Sequence, residues 1–341
     1  MQLYNTLSNI ERAELIQQAG KERLTISFYK YSKISNTELL RNRLFLFWNS
    51  IDVLGRIYVA HEGINAQLSV PADNFEAFKD HLDTVDFLEN VRLNIAIEHD
   101  LFSFLKLKVK IRDKIVSDGL NDDTFDPSDI GTHVNASEFN TLIEDENTVV
   151  VDMRNHYESE IGHFKNAVTP NVDTFRESLD LIEEDLKDYK ETKKLVMYCT
   201  GGIRCEKASA YYKHKGFKNV YQLEGGIINY AREVGNEAIE NKFIGKNFVF
   251  DQRRAEKISD DVIASCHQCG EPADIHVNCA NDGCHLLFIQ CDSCKESMEN
   301  CCSSNCMDTN RLSFEEQKAL RKGLGNSNDI FKKGRADHLP H

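Results

Sequence analysis

The chain has 341 residues, 41% hydrophobic and 28% charged, and carries a formal net charge of −14 at pH 7. That length supplies buried cores for two or three domains, and the acidic balance excludes nucleic-acid binding by bulk charge, leaving only local basic patches for such contacts. No apolar run approaches the roughly 18 residues of a membrane helix, and Met1–Ser8 lacks the basic start and apolar core of a secretory signal. A cytoplasmic setting without a membrane partner is therefore expected, and there thiols stay reduced.

Ser8 and Glu11 form a capping box, and the helix after it should stop at Gly20. Leu24–Tyr31 reads as a strand. Residues 36–50 read as a helix with Leu39, Leu40, Leu44 and Phe47 on one side. Val53–Ala60 and Ile64–Val70 form a strand pair around His61, Glu62 and Gly63. Pro71 is expected to start a helix running to about Leu82, and Val91–Ile97 to add a strand. The order β-α-β-β-α-β predicts a ferredoxin-like (acylphosphatase-like) sandwich over 24–115, behind an N-terminal helix in 1–23.

Leu105–Arg112 alternates strictly, so one strand face is apolar and the other carries Lys106, Lys108, Lys110 and Arg112. Two readings stand. The lysines protect an edge strand from pairing, or they track RNA phosphates as the densest basic run of an acidic chain. Residues 116–131 are acidic and rich in turn formers, and predict a linker.

From 132 to 240 strands and helices alternate. Asn135 and Glu138 cap a helix, Val149–Asp152 is a buried-type strand, and Asp173–Tyr189 is an amphipathic helix. Leu195–Tyr198 is a strand followed by a helix over Ile203–Lys215. Val220–Leu223 and Ile227–Val234 form the last strand and helix. This is the pattern of an open parallel α/β sheet, whose ligands bind at strand carboxyl ends. Cys199 stands at such an end, before a Thr200-Gly201-Gly202 turn and a helix opened by Ile203, Arg204 and Cys205. Free N–H groups and the positive helix end favour a thiolate there, with a pKa of roughly 3.5–7.5. Arg204 is expected to close the ring around an anion. The four residues between Cys199 and Arg204 make a cradle smaller than a phosphatase loop, suited to sulfur. Cys205 either packs inward or acts as a resolving thiol.

Nine of the eleven cysteines fall within Cys266–Cys306. Cys266/Cys269 and Cys291/Cys294 are two C-x2-C knuckles at near zinc-ribbon spacing. They predict one tetrahedral site. A second would use Cys279, Cys284, Cys306 and either Cys301 or Cys302, with His267, His276 and His285 as substitutes. Structural zinc is the expected metal; reduced or disulfide-linked thiols stapling a small module over 241–312 are the alternative. A helix over Ser313–Lys322 and a loose basic end at Phe331–Arg335 complete the chain.

Asp152-Met-Arg154, Glu160-Ile-Gly162-His163-Phe164 with Ala167, the Cys199–Arg204 loop and Leu223-Glu-Gly-Gly226 together resemble the signature of rhodanese domains over about 132–236. Lys165 and Asn166 replace the usual Pro and Gly. The longer strings Tyr198–Lys207, Glu224–Ile228 and Ala60–Asn65 resemble the rhodanese-type tRNA wobble-uridine hydroxylases (the TrhO family), and with the front domain and cysteine-rich tail this likeness covers nearly the whole chain. It implies an oxidoreductase that hydroxylates C5 of the tRNA wobble uridine, with molecular oxygen as co-substrate, tRNA as partner and Cys199 as the catalytic, persulfide-capable cysteine. Asp152, Arg154 and Cys205 would support the loop. The electron donor and oligomeric state stay open. A sulfurtransferase carrying a persulfide on Cys199, and a zinc-containing RNA-binding scaffold, are the alternatives. Thiolate chemistry suggests addition of Cys199 to C6 of uracil, which makes C5 nucleophilic.

Overall fold

The computed structural model describes residues 8–322, so the basic end at 331–335 lies outside the described residues. Helix α1 (Asn9–Ala19) is closed by the Ser8/Glu11 capping box and by Gly20 at φ 59°. The front domain then runs β1 (Arg23–Tyr31), α2 (Thr37–Ser50), β2 (Leu54–Ala60), β3 (Gly63–Pro71), α3 (Phe75–Asp83), β4 (Asn94–Ile95) and β5 (Leu107–Ile111). Its sheet has the order β4-β1-β3-β2-β5. The first four strands are antiparallel neighbours, as in a ferredoxin-like sandwich, and β5 joins the edge parallel to β2.

Period-2 alternation decides which side of this sheet is core. Ile26, Phe28, Ile57, Ile64, Ala66 and Leu68 pack with Leu44 and Trp48 of α2 and with Phe78 of α3. Three expectations change here. Leu39 is 66% exposed, because the helix turns Leu40, Leu44 and Trp48 inward instead. Pro71 closes β3 and a short 3-10 turn (Ala72–Asn74) precedes α3, so its fixed φ ends a strand rather than starting an α-helix. The strand expected over Val91–Ile97 shrinks to two residues.

The segment expected as a loose linker is anchored. Phe125 is buried in the core of the following domain, with Val116, Leu120 and Ile130 packed beside it. Asp118 is buried and salt-bridged to Lys114 at 2.7 Å, and Asp122 pairs with Lys207 at 2.6 Å.

The second domain runs β6 (Thr132–Val134), α4 (Ala136–Ile143), β7 (Thr148–Asp152), α5 (His156–Ser159), β8 (Gly162–Phe164), α6 (Phe175–Asp185), β9 (Lys194–Tyr198), α7 (Ile203–His214), β10 (Asn219–Leu223) and α8 (Gly226–Asn236). The sheet β6-β10-β9-β7 is wholly parallel. Helix α6 is shorter than expected, because a 3-10 turn at Lys187–Tyr189 replaces its last residues. Asn166 has φ 63°, a left-handed conformation that Asn tolerates where a rhodanese usually has Gly.

The C-terminal region begins with β11 (Phe243–Phe248), which pairs with β8 and with β12 (Ala255–Lys257). A small module follows, with a β13 (His276–Asn278) and β14 (Leu287–Ile289) hairpin and helices α9 (Asp292–Ser297), α10 (Ser304–Asn310) and α11 (Phe314–Arg321). Among the described residues no helix is long and apolar enough to cross a membrane.

Candidate functional site

Strand β9 ends at Tyr198 and delivers Cys199 to the carboxyl edge of the parallel sheet. The turn Thr200–Gly202 then reverses the chain into α7, with Gly202 at φ 100° as its N-cap. A side chain at Gly202 would need this unfavourable φ, and its Cβ would lie 2.8 Å from the Tyr29 hydroxyl. The Gly202 N–H points at Cys199 Sγ at 3.1 Å. Burial alone would raise the thiol pKa. The Cys205 thiol, the Arg204 charge and the backbone N–H groups of Arg204 and Cys205 outweigh it and bring Cys199 from 9.0 down to about 6.

The glycine pair after β10 holds the loop from behind. The N–H groups of Ile227 and Ile228 donate to the carbonyls of Cys199 (3.0 Å) and Thr200 (3.2 Å). Gly226, at φ 65°, approaches so closely that a Cβ would lie 2.4 Å from the Cys199 carbonyl oxygen.

Arg204 behaves otherwise than the sequence suggests. Its guanidinium does not close a ring around an open anion position. It makes a bidentate pair with the buried carboxylate of Glu158, at 2.6 and 2.9 Å. Burial opposes the charge on Glu158, and Arg204 prevails, holding the carboxyl below its usual range. Thr200 Oγ1 lies 3.4 Å from both partners. Asp152 and Arg154 form a second, fully buried pair at 2.6 Å, and Arg154 also donates to the Gly162 carbonyl, tying the end of β7 to β8. Cys205 is fully buried, and burial and its bond to Cys199 push its thiol well up. Inward packing is the arrangement observed.

The front domain supplies the opposite wall, which sequence reasoning missed. Paired residues of adjacent strands share a face. Asn94, Ser27, Gln67, Arg56 and Lys108 therefore form one row across the sheet, and Tyr29, Asn65, Tyr58 and Lys110 a second. This polar face lies away from α2 and α3 and towards the Cys199 loop. Asn94 Nδ2 donates to the Gly201 carbonyl at 3.2 Å, and the Tyr29 hydroxyl to Glu206 of α7 at 2.8 Å. Lys207 of α7 is buried and pairs with Glu62 at 2.8 Å, which gives the Ala60–Asn65 string a place in the domain junction. A signal was present in the sequence: polar residues alternate with core residues in both β1 and β3, so the helix-free face had to meet something polar.

Between the two walls lies a cavity of about 300 Å³ lined by Cys199, Thr200, Tyr29, Asn65, Asn94 and Phe250, among others. Its size is at the lower end of ligand pockets. Cys199, although fully buried, contributes to its wall. A larger groove of about 460 Å³ does not contain Cys199; it holds Lys106 and Lys108 and shares Arg56, Phe104 and Phe250 with the cavity. Of the two spaces, only the smaller reaches Cys199, which makes it the candidate site. Lys110 continues the second row at the sheet edge, and Arg112 lies over the Tyr58 ring at 5.5 Å.

All eleven cysteines are free. The sulfurs of Cys266, Cys269, Cys291 and Cys294 gather within 4.8 Å of one another, and so do those of Cys279, Cys284, Cys302 and Cys306. Cys301 is left over, and neither His267, His276 nor His285 joins a tetrad. His267 instead contacts Glu160 at 2.7 Å and accepts from the Ile289 N–H.

Comparison with known proteins agrees with this layout. Residues 23–115 match the UPF0176 acylphosphatase like domain, 135–233 the rhodanese-like domain and 244–307 the rhodanase C-terminal domain. A tRNA uridine(34) hydroxylase of Leptospira interrogans is 54% identical over 333 residues, covering 96% of this chain and 90% of that protein. Proteins of the same name from an Enterobacter species (51% identical) and Photorhabdus laumondii (53%) each cover 98% of this chain, and 95% of their own length is matched. The chain belongs to the tRNA uridine(34) hydroxylase family.

Proposed function

We propose that this protein hydroxylates C5 of the wobble uridine of tRNA, with Cys199 as the catalytic residue. The observation that carries the reading is a thiol with a pKa lowered to about 6 in the wall of a half-open cavity between the two domains, faced by Tyr29, Asn65 and Asn94. The wobble base lies in a single-stranded loop and can be splayed into a pocket without breaking a base pair. Lys108 and Lys110, at the far end of the two polar rows, are suited to the phosphates that follow it, with Lys106 and Arg112 flanking them. The enzyme would work in the cytoplasm, where tRNA is found.

In this proposal the Cys199 Sγ–C6 bond forms while the C5=C6 π pair moves onto C5 and the C4 carbonyl. C5 then attacks an oxygen donor derived from molecular oxygen. Loss of the C5 proton restores the double bond and expels the thiolate. The second oxygen atom leaves as water, with two electrons and two protons from a reductant.

The cysteine-rich module fits two structural zinc ions. Zn–S bonds of about 2.3 Å in a tetrahedron put sulfurs about 3.8 Å apart. The Cys269–Cys291 sulfurs are 3.6 Å apart, and Cys284–Cys302 and Cys302–Cys306 are 3.7 Å apart, too long for disulfides. Four thiolates per ion leave no open position, so zinc here would hold the module together rather than take part in the reaction.

The test is nucleoside mass spectrometry of tRNA incubated with the protein under oxygen and without it. The reading requires 5-hydroxyuridine only with oxygen. Thiolated uridine in its place would make the protein a sulfurtransferase.

A further inference from the structure

The groove beside the cavity contains an arginine whose role the fold does not explain. Arg23, Arg154, Arg204 and Arg253 all bury their side chains, and each faces a carboxylate: Asp52, Asp152, Glu158 and Asp251 respectively. Arg254 is half-buried, with no carboxylate partner among the described residues, and its Nη1 is out of solvent without a hydrogen bond. Burial depresses its pKa, and no neighbouring charge offsets that. The one acid in the groove wall, Asp251, is already taken by Arg253, at 2.5 and 2.9 Å.

The backbone at this position is also unusual. Arg254 has φ 61°, a left-handed conformation that a non-glycine residue adopts at a cost and that the surrounding structure must impose. The tight turn that imposes it is closed by the Val249 N–H on the Arg254 carbonyl (2.9 Å) and the Arg254 N–H on the Asp251 carbonyl (3.2 Å). A half-buried guanidinium with one nitrogen out of solvent and unbonded, and with no carboxylate partner among the described residues, is costly for the free protein. A phosphate would supply the missing acceptors in bidentate fashion.

The surroundings select the same ligand. Arg56, Lys106 and Lys108 of the front sheet face the groove with Arg254, and His285 of the cysteine-rich module closes its far side. Arg56, Phe250 and Asp251 border both groove and cavity, so one extended chain can occupy the two spaces together.

We propose that Arg254, with Arg56, Lys106 and Lys108, binds a backbone phosphate of the RNA strand whose base enters the Cys199 cavity. This rests on the reading of the protein as a tRNA-modifying enzyme and adds to it a phosphate site built jointly by the front sheet and the C-terminal region. Arg254 is thereby a substrate-positioning residue.

The experiment compares Arg254→Gly, Arg254→Gln and Arg254→Lys with the parent protein in direct tRNA binding across a salt series, in thermal unfolding and in steady-state hydroxylation. Arg254→Gly removes both the charge and the backbone strain. It is expected to lose tRNA affinity about 10- to 100-fold, to flatten the salt slope by about 0.7–1, and to unfold at the same or a higher temperature. Arg254→Gln should weaken binding likewise, and Arg254→Lys should keep the salt slope while losing part of the affinity. In hydroxylation the change should fall on KM, with kcat little altered. Unchanged tRNA affinity and salt slope in Arg254→Gly, or a lower unfolding temperature with binding intact, would overturn the proposal. Either result, with hydroxylation still dependent on Cys199, leaves the assignment of the enzyme standing. Loss of that dependence is the separate failure of the functional reading.

Discussion

Tyr29 of the front sheet donates its phenol to Glu206 of α7 at 2.8 Å, and so fixes the spacing between the polar face of one domain and the Cys199 loop of the other. Burial and the Glu206 charge push the phenol well above its ordinary pKa, so it stays a donor. Tyr29→Phe is expected to lower stability by about 1.5–3 kcal/mol, the range for a hydrogen bond to a charged group. Urea unfolding measures the loss. Hydroxylation should also fall, because the cavity wall is no longer held.

Gly202 lies directly under that phenol. Gly202→Ala combines an unfavourable φ of 100° with a Cβ placed 2.8 Å from the Tyr29 hydroxyl. The loop must shift, and the N–H that points at Cys199 shifts with it. We expect kcat reduced by at least about 10-fold, on the scale of losing one oriented donor, and a raised thiol pKa in alkylation kinetics.

The Cys199 thiol should alkylate with a pH midpoint near 6. Its folded pKa lies below the unfolded value of 9.0, so the native state binds fewer protons. Ionisation therefore adds stability that is complete above pH 9 and is lost as pH falls through about 6. The stability difference between the parent and Cys199→Ser should accordingly narrow from pH 8 to pH 5.5. A difference that widens over that interval would contradict the assigned thiolate.

Glu158→Gln separates structure from electrostatics at the loop. It leaves Arg204 buried against a neutral group, and breaking such a pair costs about 3–5 kcal/mol. The Arg204 charge, no longer offset, should lower the Cys199 pKa further. Denaturant unfolding and alkylation kinetics read the two effects independently.

Elemental analysis is expected to give two zinc ions per chain. The left-over cysteine makes the sharper prediction. Cys301→Ser should retain both ions and Cys302→Ser only one, because Cys302 and not Cys301 belongs to the second tetrad.

Much of this architecture was legible in the sequence because it is local. Capping boxes at Ser8 and Asn135, the alternation of β5 and the strand–Cys–Gly-Gly–helix sequence at Cys199 each depend on neighbours within a few residues. Glu158, Tyr29, Asn94 and Arg254 were not legible. Their roles come from contacts across 46, 177 and 107 positions for the first three, and Arg254 stands out only because its Nη1 has no hydrogen bond among the described residues. The segment 116–131 read as a linker because its acids look solvated. Lys114 pairs with Asp118 from only four residues away, but the second cation, Lys207, reaches Asp122 only when α7 packs against the segment. Choosing Cys302 over Cys301 likewise required the hairpin that brings Cys279 and Cys284 to α10.

The most direct measurement is reconstitution of the purified protein with unmodified tRNA, oxygen and a reductant, comparing the parent with Cys199→Ser by nucleoside mass spectrometry. The account predicts 5-hydroxyuridine at the wobble position from the parent and none from the variant, with tRNA binding preserved in both. Full hydroxylation by Cys199→Ser would contradict it.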